Sequence, residues 1–150
     1  MALIVQKFGG TSVANIERIK HVALLIKKEI ENGNQVVVVV SAMAGVTDYL
    51  VSLVNDVSIL DSKEQLAEYD SVISSGEQVS SGILSLCLQS MGFRSRSWSG
   101  WQLGLCTDTN HSRAKINKIE KENLLESIQY QEIPIIAGFQ GVSDEGRITT

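Results

Sequence analysis

The chain is poor in several things at once, and each shortage removes a class of protein. One proline and twelve glycines in 150 residues leave no Pro-rich linker and no collagen-like repeat. Two cysteines, Cys87 and Cys106, stand 19 apart with no further Cys or His at ligand spacing. That is too few for a disulfide scaffold and points to a reduced, cytoplasmic chain. Basic residues are in deficit, 13 Lys+Arg against 17 Asp+Glu, so no strong cationic face for a nucleic acid is expected. No apolar run, Val36 to Val40 included, exceeds five residues, far short of the roughly 20 a membrane crossing needs. Met1 to Gly10 has no signal-peptide pattern, because Gln6 and Lys7 interrupt its apolar run.

What remains is an ordinary folded composition, 43% hydrophobic and 20% charged, of a length that suits one domain. Leu3-Ile4-Val5 reads as a buried strand ending in Lys7-Phe8-Gly9-Gly10. Thr11 or Ser12 then caps a helix with Val13, Ile16, Ile19, Ala23, Ile26 and Ile30 on one face, and Gly33 stops it. Five consecutive valines, Val36 to Val40, predict a strand covered on both faces, hence a parallel sheet and the α/β class. Further helices are expected over 48–57, over 66–91 with a break at Ser74-Ser75-Gly76, and over 122–130. Strands are expected within Arg94 to Trp101 and over Ile133 to Ala137, with Pro134 pushing the latter to an edge or a strand start. Asp144-Glu145-Gly146 reads as a hairpin turn.

Four segments can carry chemistry. Lys7 to Ser12 passes from strand to helix through two glycines, which suits an anion gripped by bare N–H groups with Lys7 as a mobile charge. A plain Gly-Gly turn with a solvated lysine fits equally. Ser41 to Asp48 follows the valine strand, on the sheet edge where ligands bind, although Thr47 or Asp48 can simply be a helix N-cap. Glu77, after Gly76 and within an apolar helical pattern, either faces solvent or pairs with a cation in a site. Gly138 to Gly141 is a third loop on the same edge. Trp98 and Trp101 read as packing, Cys87 as core, and His21 and His111 as structural or solvent-facing, with no metal site among them.

Five blocks in register resemble the aspartokinases of the amino acid kinase family: Lys7 to Val13; the Val-rich strand into Ser41 to Asp48; Ser75-Gly76-Glu77; Ser99 to Gln102 with Thr107-Asp108; and Pro134 to Gly141 running into Gly146 to Thr150. The resemblance implies an αβα sandwich on a mostly parallel central sheet, the carbamate kinase-like fold. It also implies phosphoryl transfer from ATP to the side-chain carboxylate of L-aspartate, an early step toward lysine, threonine and methionine. On that likeness Lys7 is catalytic, and Lys7, Phe8, Gly9 and Gly10 hold the phosphates. Ser41, Thr47 and Glu77 bind aspartate, with Glu77 on its ammonium, and Mg2+ arrives bound to ATP.

The family pattern continues past Thr149-Thr150 into a Gly-Arg-Gly-Gly-Ser-Asp segment, a nucleotide-binding half and usually ACT domains. Residues 1–150 are thus expected to be the N-terminal part of such a domain. A second chain carrying the other half, and self-association through uncovered apolar surface, are expected partners. The alternatives are an inactive remnant or fragment, and another carboxylate kinase of the superfamily resembling acetylglutamate kinase.

Overall fold

The computed structural model describes residues 1–150. Its centre is a four-stranded parallel sheet in the order β1 (Leu3–Phe8), β2 (Gln35–Val40), β6 (Ile133–Ala137), β3 (Ser95–Trp98). The valine run lies inside it, paired with β1 from Leu3↔Gln35 to Phe8↔Val40 and with β6 from Val38↔Ile135. Both of its faces are covered, as the unbroken β-branched run requires. β1 is an outer strand whose Leu3 and Val5 remain exposed, so it is not the buried strand its sequence predicts.

Helix α1 (Ile16–Glu31) makes the crossover from β1 to β2. It packs beside α4 (Ser75–Ser90) over one sheet face, with Ile19, Val22, Ile26, Val38, Leu84 and Ile135 in one cluster. Ser95 Oγ bonds Ser85 O of α4, so Arg96 and Trp98 must project from the opposite face. There α5 (Glu122–Gln129) covers β6 and completes an αβα sandwich. Helices α2 (Val46–Val57) and α3 (Lys63–Ile73) follow β2, and α3 ends at Ser74, at the break expected from the sequence.

Three local expectations are corrected. The α1 cap is Asn15, whose Oδ1 accepts from Arg18 N at 3.0 Å; Ser12 N and Val13 N both donate to Gly9 O, and that turn delays the helix. The α2 cap is Gly45 in the left-handed region (φ 77°), which leaves the Thr47 and Asp48 side chains free. Pro134 sits in a central strand. Ile133 N donates toward β3 and Gly138 N toward β2, so the proline nitrogen points at β2 one residue before that pairing begins and removes no ladder bond.

A second, mixed sheet, not foreseen, has the order β5 (Ile116–Ile119), β4 (Leu105–Thr107), β7 (Gly141–Val142), β8 (Ile148–Thr149). Gly146 (φ 73°) turns the expected β7–β8 hairpin. Asp70, fully buried on α3, ties this sheet down. It accepts from His111 Nδ1 (3.1 Å), Ser112 N (2.9 Å), Thr150 N (3.1 Å) and Thr150 Oγ1 (2.6 Å). His111 is accordingly structural and buried. No helix is long and apolar enough to cross a membrane.

Candidate active site

The carboxyl ends of β1, β2 and β6 lie side by side, and the loops that leave them enclose a cavity of about 470 Å3. Lys7, Gly10, Ser41, Thr47 and Glu77 all line it, with Gly138 and Phe139 from the β6 exit. Phe8 and Gly9 do not: the Phe8 ring packs against the core and its carbonyl accepts from Ser41 N at 3.0 Å, which holds the second loop against the first. Because α1 begins only at Ile16, the helix end does not abut the glycine turn; loop N–H groups and the lysine supply the positive character. Lys7 is exposed and forms no ion pair.

Glu77 is the feature that gives the cavity its chemistry. It is the third residue of α4 and only 3% exposed. Its Oε1 accepts from Ala42 N at 3.1 Å, while Oε2 has no partner. A buried carboxylate with an unused oxygen on a ligand-sized cavity suits a cation such as an ammonium. Burial pushes its carboxyl above the ordinary 4.5, with the Ala42 hydrogen bond opposing.

A folded-state pKa above the unfolded one means that the native chain binds more protons between the two values. Stability is then fully present below the unfolded value and falls as pH rises through the folded one. Glu77→Gln keeps an acceptor for Ala42 N and should raise the melting temperature at neutral pH by a few degrees, about 2–4 °C per kcal/mol in a chain this size. Well below pH 4.5 the two proteins should melt together. Thermal melts at both pH values check this, and a neutral-pH midpoint lower in the variant would contradict it.

Gly76 lets α4 approach the Ser41 loop. A Cβ there would lie 2.9 Å from Ala42 Cβ and 3.1 Å from Val46 Cγ1. Gly76→Ala should therefore destabilise by about 1–3 kcal/mol, despite the better helix propensity of alanine, and lower the melting midpoint by several degrees. An unchanged midpoint would show that the loop yields freely. Gln140 braces the same region: its Nε2 donates to Ser74 O and its Oε1 accepts from Gly100 N, both at 3.2 Å.

Met43, Asp48 and Phe139 also line the cavity; they lie in the segments the sequence places on this edge, but none is singled out there as a binding residue. Phe139 adopts φ 57°, unusual for a bulky residue, and is half-exposed over the opening. Its place between Gly138 and Gln140 in the third glycine loop was the available signal.

A family model described as the amino acid kinase family matches residues 2–150. The chain belongs to that family. Among relatives within this amino acid kinase family, the aspartokinase of Rickettsia conorii is 54% identical over all 150 residues, which are 37% of that protein, and that of Geobacillus stearothermophilus is 46% identical over 36% of its length. The chain thus spans little more than a third of these curated relatives. Among solved structures, aspartate kinase from Synechocystis superposes with a TM-score of 0.81 at 38% identity, covering 99% of this chain and 23% of that one. E. coli aspartokinase III in complex with aspartate and ADP gives 0.84 at 21% identity, covering 100% and 43%, and shows the shared fold.

Proposed function

We propose that this chain supplies the amino-acid-binding and phosphate-gripping part of an aspartate kinase, which transfers the ATP γ-phosphoryl group to the side-chain carboxylate of L-aspartate and yields 4-phospho-L-aspartate. The observation that carries the reading is the unpartnered Glu77 Oε2 on the cavity that Lys7 also lines. Aspartate is a small zwitterion. Its ammonium would sit on Glu77, its carboxylates would take hydroxyl bonds from Ser41 and Thr47, and its reactive carboxylate would point at the phosphoryl group beside Lys7. Substrate and phosphoryl donor repel as anions, so the work of the protein is to hold them in line and neutralise charge. Lys7 and the backbone of Gly10 would do the latter. The names of the relatives support aspartate over other carboxylates.

No group of three or more His, Cys, Asp or Glu stands close enough to hold a metal ion. Mg2+ would arrive with the nucleotide, held by its phosphates and water, with its charge supplied alongside Lys7. The base of ATP would be held by sequence outside these residues, in the same polypeptide or a second chain, and regulatory ACT domains would lie there too. Exposed Leu3 and Val5 on the outer strand β1 favour burial against such a part or against another copy. A cytoplasmic setting suits the two free cysteines. Aspartate-dependent ADP formation, assayed on a protein joining this chain to a nucleotide-binding half, tests the reading. Turnover with N-acetylglutamate in place of aspartate would move it to the acetylglutamate kinase-like alternative, and no turnover with either would favour an inactive remnant.

A further inference from the structure

A second cavity, of about 530 Å3, lies on the opposite sheet face between β3, α5 and the turn at Gly100–Leu103. Arg96 and Trp98 alternate with serines along the outer strand β3, and Arg94 immediately precedes it in the same alternation; all three line this side. The Arg96 guanidinium stacks on the Trp98 ring at 3.9 Å, which fixes its planar donors. Neither Arg94 nor Arg96 has an ion-pair partner, although Glu126 and Glu132 line the same cavity; Glu132 is instead bonded to Ser127 Oγ. Trp98 is 5% exposed and its Nε1 has no acceptor, an orphaned buried donor that calls for an explanation. Trp101 and Tyr130 hold their rings exposed at the rim. Sequence reasoning assigned Trp101 to packing, and the structure does not.

We propose that this cavity binds a small monoanion carried on a flat ring, such as an aromatic carboxylate. The charged group would lie on Arg94 and Arg96 and the ring against Trp101 and Tyr130. Two carboxylates in the lining disfavour polyanions such as a triphosphate or a nucleic-acid backbone. The site is separate from the cavity of Lys7 and Glu77 and does not depend on the activity proposed for it.

The chain has two tryptophans, and both line this cavity, so the two indole N–H cross-peaks of a 1H–15N spectrum report on it directly. Trp101→Phe assigns them. Titration with benzoate should shift the Trp98 cross-peak saturably. Arg96→Gln, at an exposed position that leaves the fold intact, should weaken binding at least about tenfold, as loss of a charge-assisted hydrogen bond implies. Acetate, which lacks the ring, and benzyl alcohol, which lacks the charge, should each bind at least about tenfold more weakly than benzoate. A non-saturating benzoate response overturns the proposal. So does an Arg96→Gln affinity equal to that of the unaltered chain, or acetate binding as well as benzoate.

Discussion

Replacing Lys7 by alanine should lower aspartate-dependent ADP formation by about 10²–10³-fold, the usual cost of deleting one preorganised donor to developing charge. Lys7 stands at the carboxyl end of the outer strand β1, exposed and without an ion pair, yet on the cavity shared with Glu77. A cation left free in that position has its charge available for an incoming phosphoryl group, and no carboxylate must be displaced first. The loss should therefore fall on kcat, with the aspartate KM changed little, because the contacts proposed for the zwitterion are with Ser41, Thr47 and Glu77 and not with Lys7. The fold should not respond, since the side chain has no bonding partner to lose. Steady-state kinetics together with circular dichroism check both halves. A rate within fivefold of the unaltered protein would remove Lys7 from the reaction.

Asp70→Ala should produce the largest loss of stability, about 3–5 kcal/mol, or a fall of roughly 10 °C in the melting midpoint. One carboxylate on α3 accepts from a histidine ring, two backbone N–H groups and two hydroxyls. It thereby fastens the loop at His111-Ser112 and the strand end at Thr150 to the helix. Truncation leaves the buried His111 ring and the half-buried Ser112 and Thr150 donors without their acceptor, a greater penalty than the bonds themselves contribute. The β8 strand is only two residues long and Asp70 holds its end directly through Thr150, so amide exchange should quicken first at Thr149 and Thr150. A melting midpoint within 2 °C of the unaltered chain would show that the hub is dispensable.

Much of this architecture is legible in the residues because local pattern and global fold agree. The five-valine strand, the 3.6-residue stripe of α1 and the break at Ser74 all follow from rules that act over a few positions. The cavity follows from topology in part: loops after parallel strands share an edge, so the Lys7, Ser41 and Gly138 segments group together from the sequence, whereas Glu77, on a helix, joins them only through the family resemblance. What escaped was non-local. The mixed sheet of β4, β5, β7 and β8 is made of strands two to four residues long, which leave only a weak alternation over Ala114 to Ile119 and the turn at Asp144-Glu145-Gly146 to be read. The Asp70 hub joins residues about 40 and 80 positions apart, and nothing in the spacing of Asp70 from His111 or Thr150 announces it. The caps were misplaced for a related reason. Several Ser, Thr and Asn residues near a helix start can serve, and which one does depends on how the preceding turn packs Val13.

The central claim is that Glu77 receives the ammonium of an amino-acid substrate in the Lys7 cavity. Calorimetric titration of L-aspartate and of succinate, the same dicarboxylate without the ammonium, tests it most directly. Aspartate should bind at least about tenfold more tightly, and Glu77→Gln should erase most of that preference by weakening aspartate alone, as loss of a hydrogen-bonded charge pair implies. Equal affinity for the two ligands, or a preference that survives Glu77→Gln, would contradict the account.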